Sequence, residues 1–352
     1  MLTLPSCTSH ELLPQVIEAG CNDISRSAWR SFVNTEKRSN FGLVNPDASP
    51  EATALLRYLY NISGKQILSG QHNYPGTISK WSDRAHEIVG KYPAIWGQDF
   101  GFTAGGQDGI NYRQAIMDEA KRQHQTGSII TLMWHAVRPI DDEPNGWKES
   151  VQNKLTDAQW QELITPGTAL HVRWLAQVDV IAAFLKQLRD AKTPVLWRPY
   201  HEMNGGWFWW GKKHGDRGYK ALWRLMYNHL TNHHQLNNLV WVWNANAPNQ
   251  AADSYAEYYP GHDYVDVLAT DVYGADYKQS HHDDLLKLAT GKPVALGEVG
   301  EMPTPAILNA QPHWTWFMTW TDFLEKNNAL DAVRALYNDL RVLTRDEVAN
   351  RQ

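Results

Sequence analysis

The chain reads as an α/β protein built as a closed (β/α)8 barrel, and three observations predict this. Eight short apolar runs of four to seven residues alternate with stretches of helical periodicity, the mark of βα units around a parallel sheet. Beyond residue 50 no linker or shift of composition interrupts the series, and no short-period repeat is present. The 352 residues suit one barrel with long loops, and a hydrophobic share of 43% is enough for its core.

Residues 1–50 are irregular and polar, ending in Asn45-Pro46-Asp47-Ala48-Ser49-Pro50, which reads as a linker; 1–50 is expected as an N-terminal extension or cap on the barrel and 51–352 as the catalytic barrel. The first run, Gln66–Gly70, leads to Gln71, His72 and Asn73. The second, Ala94–Gly97, ends in Gln98, Asp99 and Phe100, and a helix follows over Tyr112–Gln123. The third, Ser128–Trp134, ends in Trp134 and His135, and its helix is Val172–Leu188. The fourth, Val195–Arg198, runs into the polar and aromatic segment described below, followed by a helix over Tyr219–Leu230. The fifth, Leu239–Trp243, ends beside Asn244. The sixth, Val265–Thr270, leads to Asp271 and Tyr273, with a helix over Asp283–Leu288. The seventh and eighth are Val294–Gly297, ending beside Glu298, and Thr315–Thr319, ending beside Trp320. In such barrels the reactive groups stand at the C-terminal strand ends, so polar residues recurring there sketch a rim for a polyhydroxylated ligand.

The most informative stretch is Trp197-Arg198-Pro199-Tyr200-His201-Glu202-Met203-Asn204-Gly205-Gly206-Trp207-Phe208-Trp209-Trp210-Gly211. A carboxylate flanked by His201 and Asn204 is followed by four aromatic residues. An acid that donates a proton beside flat faces that stack on pyranose rings is the equipment of a sugar-cleaving site. Glu298, bracketed by Gly297 and Gly300, supplies a second acid after the seventh run. A retaining glycosidase needs such a pair about 5 Å apart, one as nucleophile and one as acid/base. Trp207 is expected as the stacking platform nearest the scissile bond, with Phe208 to Trp210 packed beneath it.

These motifs resemble those of the family 26 glycoside hydrolases, best known for endo-β-1,4-mannanases, over roughly residues 50 to 350. The family's Arg-Pro-x-His-Glu and Trp-Phe-Trp-Trp-Gly motifs read here as Arg198 to Gly211, its nucleophile motif as Gly297-Glu298, and its Asp-x-Tyr as Asp271-Val272-Tyr273. The resemblance implies Glu202 as acid/base, Glu298 as nucleophile, and His201 and Tyr273 as residues that position and tune them; Arg198 is expected to hydrogen-bond Glu298. His135 and Trp320 resemble positions lining the sugar subsites, while His72, Asp99, Asn244 and Asp271 complete the supporting set. The implied substrates are β-1,4-linked mannan, galactomannan or glucomannan. The same machinery also serves β-1,3-xylan or mixed-linkage glucan in this family. A carbohydrate-binding protein without catalysis would lack one of the two acids, and both are present. Family members often carry an arginine after the tryptophan of the eighth strand; here Thr321 follows Trp320. Long segments at Val137–Pro166 and Gly211–Gly218 could close one end of the cleft and make the action exo rather than endo.

Several classes are disfavoured. A net charge of −5 gives no footprint for nucleic acid or anionic membrane, and no apolar run reaches the roughly 18 residues of a membrane span. Zinc-peptidase chemistry needs a histidine where Gly205 stands, and the glycines of Gly101–Gly109 are not followed by the Lys-Ser/Thr of a phosphate loop. His233-His234 and His281-His282 read as solvated surface, so no metal or cofactor is expected, and a monomer is the default. Cys7 and Cys21 are too few for a disulfide framework. The first residues lack the pattern of a signal peptide, whereas the resemblance favours a secreted or periplasmic location.

Overall fold

The computed structural model describes residues 42–349; Cys7, Cys21 and most of the expected N-terminal cap lie outside the described residues. Eight parallel strands close into a barrel: β1 (Ile67–His72), β2 (Ile95–Asp99), β3 (Ile129–Trp134), β4 (Val195–Pro199), β5 (Leu239–Asn246), β6 (Val267–Val272), β7 (Val294–Val299) and β8 (Trp314–Thr319). Each pairs with its sequence neighbours, and β1 closes the ring by pairing with both β2 and β8. Every one of the eight expected runs becomes a strand, its ends displaced by up to three residues. The expected helices appear as α3 (Arg113–Gln125), α5 (Ala169–Asp190), α6 (Tyr219–Asn228) and α7 (Gln279–Ala289).

Helices without a clear signal in the sequence also form, α2 (Lys80–Val89) among them, and α1 (Pro50–Ile62) shows why one was missed. The supposed linker is its start signal. Ser49 accepts from the Ala52 N–H at 3.1 Å and Pro50 occupies the first helical position, where its missing N–H costs nothing. The chain before it is tied to the barrel's N-terminal end, Val44 N–H donating to Asp266 at 2.7 Å and Ser49 N–H to the Asn237 carbonyl at 2.7 Å. Ala52, Leu55, Leu56 and Leu59 of α1 share an apolar cluster with Leu68, Leu196, Val240, Val267 and Trp316, covering the N-terminal mouth of the barrel. A further two-residue strand, β9 (Val342–Leu343), pairs with Ile67 and Leu68 of β1 just below where β2 begins.

Strand periodicity sorts side chains into two layers. One set, including Trp96, Ile130, Leu132, Trp197, Trp241, Leu268 and Phe317, packs outward against the helices. The inward set begins apolar and ends polar at the C-terminal rim: on β4 Leu196 is followed by Arg198, and on β5 Val240 and Val242 by Asn244. On β7 a strict two-residue period after the inward Ala295 would turn Gly297 inward and Glu298 outward. The pairing with β6 breaks that rule, because Thr270 faces Leu296 and Asp271 faces Glu298, leaving Gly297 as an extra residue. This β-bulge re-aims Glu298 toward the interior.

Only glycine fits at the bulge: a Cβ on residue 297 would overlap the Asn244 side-chain oxygen and stand 2.9 Å from Asp271 Oδ1. Gly297→Ala should therefore cost about 1–3 kcal/mol by overpacking, read as a lowered midpoint in urea unfolding. An unchanged midpoint would mean that the bulge accepts a methyl group, contrary to this account.

Candidate active site

The turn after β4 sets the position of Glu202. Tyr200 and Glu202 both adopt left-handed backbone conformations, with φ of +48° and +54°. Such residues cost about 1–3 kcal/mol each and persist only where neighbours over-determine them. Here the Glu202 N–H donates to the Asn244 carbonyl at 2.8 Å and its own carbonyl accepts from Gly205 N–H at 3.0 Å. Asn204, read in the sequence as a partner of the acid, instead braces the turn: its Nδ2 donates to the Asn246 and Asp253 carbonyls and its Oδ1 accepts from Asn246 N–H, each at 2.8 Å. Gly205 leaves room for the Trp207 ring, which a Cβ there would overlap. Trp207 Nε1–H thereby reaches Glu202 Oε2 at 2.6 Å.

Glu298 faces a different set of groups. Arg198 Nη2 donates to its Oε1, and the Tyr273 hydroxyl donates to its Oε2 at 2.5 Å. His201 Nε2 lies 3.7 Å from Oε1, adjacent but beyond hydrogen-bond reach. The Arg198 guanidinium is buried and fixed by Asn244 Oδ1 at 3.3 Å, Asp271 Oδ2 at 3.5 Å and the Met133 sulfur at 2.9 Å.

Electrostatics separate the acids. Burial, then the Glu298 charge, pushes the Glu202 carboxyl up to about 8, so it is protonated at neutral pH. Burial and Glu298 likewise hold Asp271 well above the ordinary carboxylate range, even beside Arg198. His201 and His72 are driven the other way, first by burial and next by the Arg198 charge; His72 falls to about 3. Both are neutral imidazoles, and His201 Nδ1 finds no hydrogen-bond partner among the described residues. His201, Glu202 and Asp271 bring potential ligand atoms within 4.8 Å of one another. The Arg198 cation already stands against Asp271 there, which opposes a metal ion.

The acids open into a cleft of about 660 Å³ lined by His72, Asp99, His135, His201, Glu202, Trp207, Tyr273, Glu298 and Trp320. Arg198, Asn244 and Asp271 are buried and do not line the cleft. Asp99 holds His135 twice, by its ring Nδ1 at 2.6 Å and its backbone N–H at 3.1 Å. Burial would raise Asp99, but His135 outweighs it and keeps the carboxyl below its ordinary value, so Nδ1 is the donor. Trp320 stacks on His72 with ring centroids 4.4 Å apart and planes at 22°. Thr321 is buried, and its carbonyl accepts from Gln71 Nε2 at 2.9 Å.

The sequence reading missed part of the wall. Tyr74, Phe102, Asp108, Trp147, Phe208 and Phe323 also line the cleft. Trp147 comes from the Val137–Pro166 segment, which folds into a π-helical turn (Trp147–Val151) and α4 (Asp157–Leu163). Nothing near Trp147 signals that role, because the fold alone brings it against Phe102 and His135, at ring distances of 5.4 and 5.1 Å. Of the four aromatics after Gly206, Trp209 and Trp210 are fully buried, while Phe208 lines the cleft alongside Trp207. Asp108 sits in the glycine-rich segment, and burial, then Asp99, raises it to about 6.

A closed barrel carrying two buried glutamates in an open aromatic cleft at the C-terminal strand ends defines the class of (β/α)8-barrel glycoside hydrolases. Residues 44–347 match Glycosyl hydrolase family 26, and the chain belongs to that family. It is 36% identical over 324 residues to the mannan endo-1,4-beta-mannosidase of Thermothelomyces thermophilus, covering 89% of this chain and 64% of that protein. The mannan endo-1,4-beta-mannosidase A of Piromyces sp. is 29% identical, with 90% of this chain and 52% of that protein aligned. The chain thus spans about half to two-thirds of the length of these curated relatives. Among solved structures, GH26A from Muricauda sp. superposes with a TM-score of 0.83 at 48% identity, covering 86% of this chain and 99% of that one. A beta-mannanase from a symbiotic protist of the termite Reticulitermes speratus, complexed with gluco-manno-oligosaccharide, gives a TM-score of 0.76 at 29% identity, with 89% and 99% covered.

The Trp207 hydrogen bond is made to Glu202's carboxylate and lowers its pKa, against the larger effects of burial and Glu298. Trp207→Phe keeps an aromatic ring and removes the N–H, so the Glu202 pKa should rise further. Carboxyl NMR titration of the variant reads this directly, and a downward shift would reverse the assignment.

Proposed function

We propose that this chain is a retaining glycoside hydrolase that cleaves β-1,4-mannosidic bonds within mannan-type polysaccharides. The observation that carries this reading is the division between two glutamates in one cleft. Glu202 is held protonated, while Glu298 receives two donors, Arg198 and Tyr273. One is equipped to give a proton and the other to carry negative charge.

Glu298 attacks the anomeric carbon as the glycosidic bond breaks, and Glu202 protonates the departing oxygen. Esterification of Glu298 then removes its charge, the second-largest cause of the raised Glu202 pKa. Glu202 becomes the stronger acid it must be to serve next as a base, and it takes a proton from the water that hydrolyses the glycosyl-enzyme. Trp320, Trp147 and Phe208 offer ring faces for stacking on sugars, and the neutral His201 and the Asp99-held His135 offer partners for hydroxyl groups. The mannan substrate is supported by the names of the relatives and by the gluco-manno-oligosaccharide bound to the termite-symbiont structure. A polymer of this size is met outside the cytoplasm, so we place the protein there, acting as a monomer.

The test is reducing-sugar release, with product sizing, from mannan, galactomannan, β-1,3-xylan and lichenan. Oligosaccharides from the two mannans are expected, their lengths reporting endo action, with loss of about 10²–10⁴-fold in Glu202→Gln and at least as much in Glu298→Ala. Anomeric NMR of the first product should show retention, and inversion would remove the nucleophile role of Glu298. Hydrolysis confined to xylan or lichenan would replace the substrate and leave the chemistry.

The proton donor is present below the Glu202 pKa and lost above it. The alkaline limb of kcat/KM, which reports the free enzyme, is therefore expected near pH 8. A profile flat from pH 6 to beyond 9 would exclude Glu202 as the acid.

A further inference from the structure

Away from the cleft, three histidines and an aspartate converge where the sequence alone suggests solvated surface. Helix α6 ends at Asn228, and the chain continues as a π-helical turn over His229–His233. The i→i+5 bond from His234 N–H to the His229 carbonyl, at 3.0 Å, adds a residue to the turn and brings His229 and His234 to the same side. Arg189 of α5 clamps the turn from outside by donating to the His234 carbonyl at 3.1 Å. His229, His233 and His234 each offer a ring nitrogen within 4.8 Å of the other two, and their ring centroids are 4.8 Å apart. Asp179, also on α5, places a single oxygen, Oδ1, 2.6 Å from both His229 Nε2 and His234 Nε2.

We propose that His229, His233, His234 and Asp179 form a binding site for one divalent transition-metal ion of the Zn²⁺ type. Three imidazoles and a carboxylate are the donor set such ions prefer. Tetrahedral bonds of about 2.0–2.1 Å place ligand atoms roughly 3.3 Å apart. Asp179 reaches this spacing from His229 and His234 by withdrawing less than about 1 Å, and His233 completes the set by turning its ring nitrogen toward them. These are adjustments within side-chain reach, since Asp179 and His233 are exposed. A depression of about 480 Å³, lined in part by Leu175, Leu225 and Asn228, abuts His229 and His233 and gives an ion a path from solvent.

The place suits a structural ion. The turn leads into the N-terminal end of β5, whereas the cleft lies at the C-terminal strand ends, and residues at the bottom of such a barrel serve stability. An ion there would tie α5 to the end of α6.

The test uses the full chain without a histidine tag, stripped with chelator and titrated calorimetrically with Zn²⁺ and, separately, Ni²⁺. Wild type should bind one equivalent saturably, with affinity at least tenfold weaker in His233→Ala and in Asp179→Asn. Its unfolding midpoint should rise with Zn²⁺, and that of His233→Ala should not. Equal midpoints without metal would establish that the variant is folded. Binding of equal strength in wild type and His233→Ala would place the ion elsewhere, for instance at the cluster of His214, Asp253 and Glu257, and overturn the proposal. Absence of saturable binding to wild type would do the same.

Discussion

The site is governed by a shortage of positive charge. Arg198 stands beside two buried carboxyl groups, those of Glu298 and Asp271, with Glu202 close enough for its charge to be felt. One guanidinium cannot balance three carboxylates in a medium of low dielectric constant, so acids must stay protonated until the charges match. Arg198 donates to Glu298, while Asp271 and Glu202 are held above their ordinary range. Burial first, and then the same charge, suppresses protonation of His72 and His201, leaving hydrogen-bonding groups that add no net charge to the cleft. The raised Glu202 and Asp271 and the neutral histidines thus share one setting, a buried site with a single strong cation.

That arrangement depends on a backbone irregularity. Without the extra residue at Gly297, strand alternation would point residue 298 at the helices, and Arg198 would face Asn244 and Asp271 alone. Glu202 has a comparable dependence on the left-handed Tyr200 and Glu202 and on Asn204, which joins the turn to the end of β5 and the loop beyond it. Both acids stand where the regular barrel is deliberately broken, and the regular part below supplies the rigidity that holds the breaks in place.

This division explains what could be read from the sequence. The strands were legible because each is an apolar run that changes to polar residues at the rim, and both glutamates follow such runs. Ser49-Pro50 carried a helix-start signal that was overshadowed by the prolines around it. The bulge was not legible, since the run read over Val294–Gly297 carries no mark of an extra residue and only the pairing with β6 shows it. Trp147 was hidden for another reason: its contacts are with residues far away in the chain, and no local pattern marks it. The approach of His229 to His234 was not legible, because the expected helix ends at Leu230 and residues five apart diverge in a regular α-helix; only the π-helical turn brings them together. Asp179, the fourth member, is fifty residues from His229 along the chain.

The two aspartates bounding β6 show why residue type alone could not have located the chemistry. Asp266 precedes the strand and Asp271 lies near its end; both are buried, and burial raises both. At Asp266 the opposing groups are backbone amides of Trp241 and Val44, which hydrogen-bond the carboxylate at 2.8 and 2.7 Å and hold it to about 6. These contacts tie β5 and the chain before α1 to the barrel floor, and their work is complete once the protein has folded. At Asp271 the neighbours are Glu298 and Arg198, and the proposed glycosyl-enzyme would remove the charge of Glu298 while Arg198 stays cationic. On the proposed mechanism, a carboxyl group bound by fixed dipoles serves the fold, whereas one coupled to a charge that turns over with each catalytic cycle belongs to the reaction. What separates them on this strand is its direction, which points one end toward the backbone of the barrel floor and the other toward the cleft.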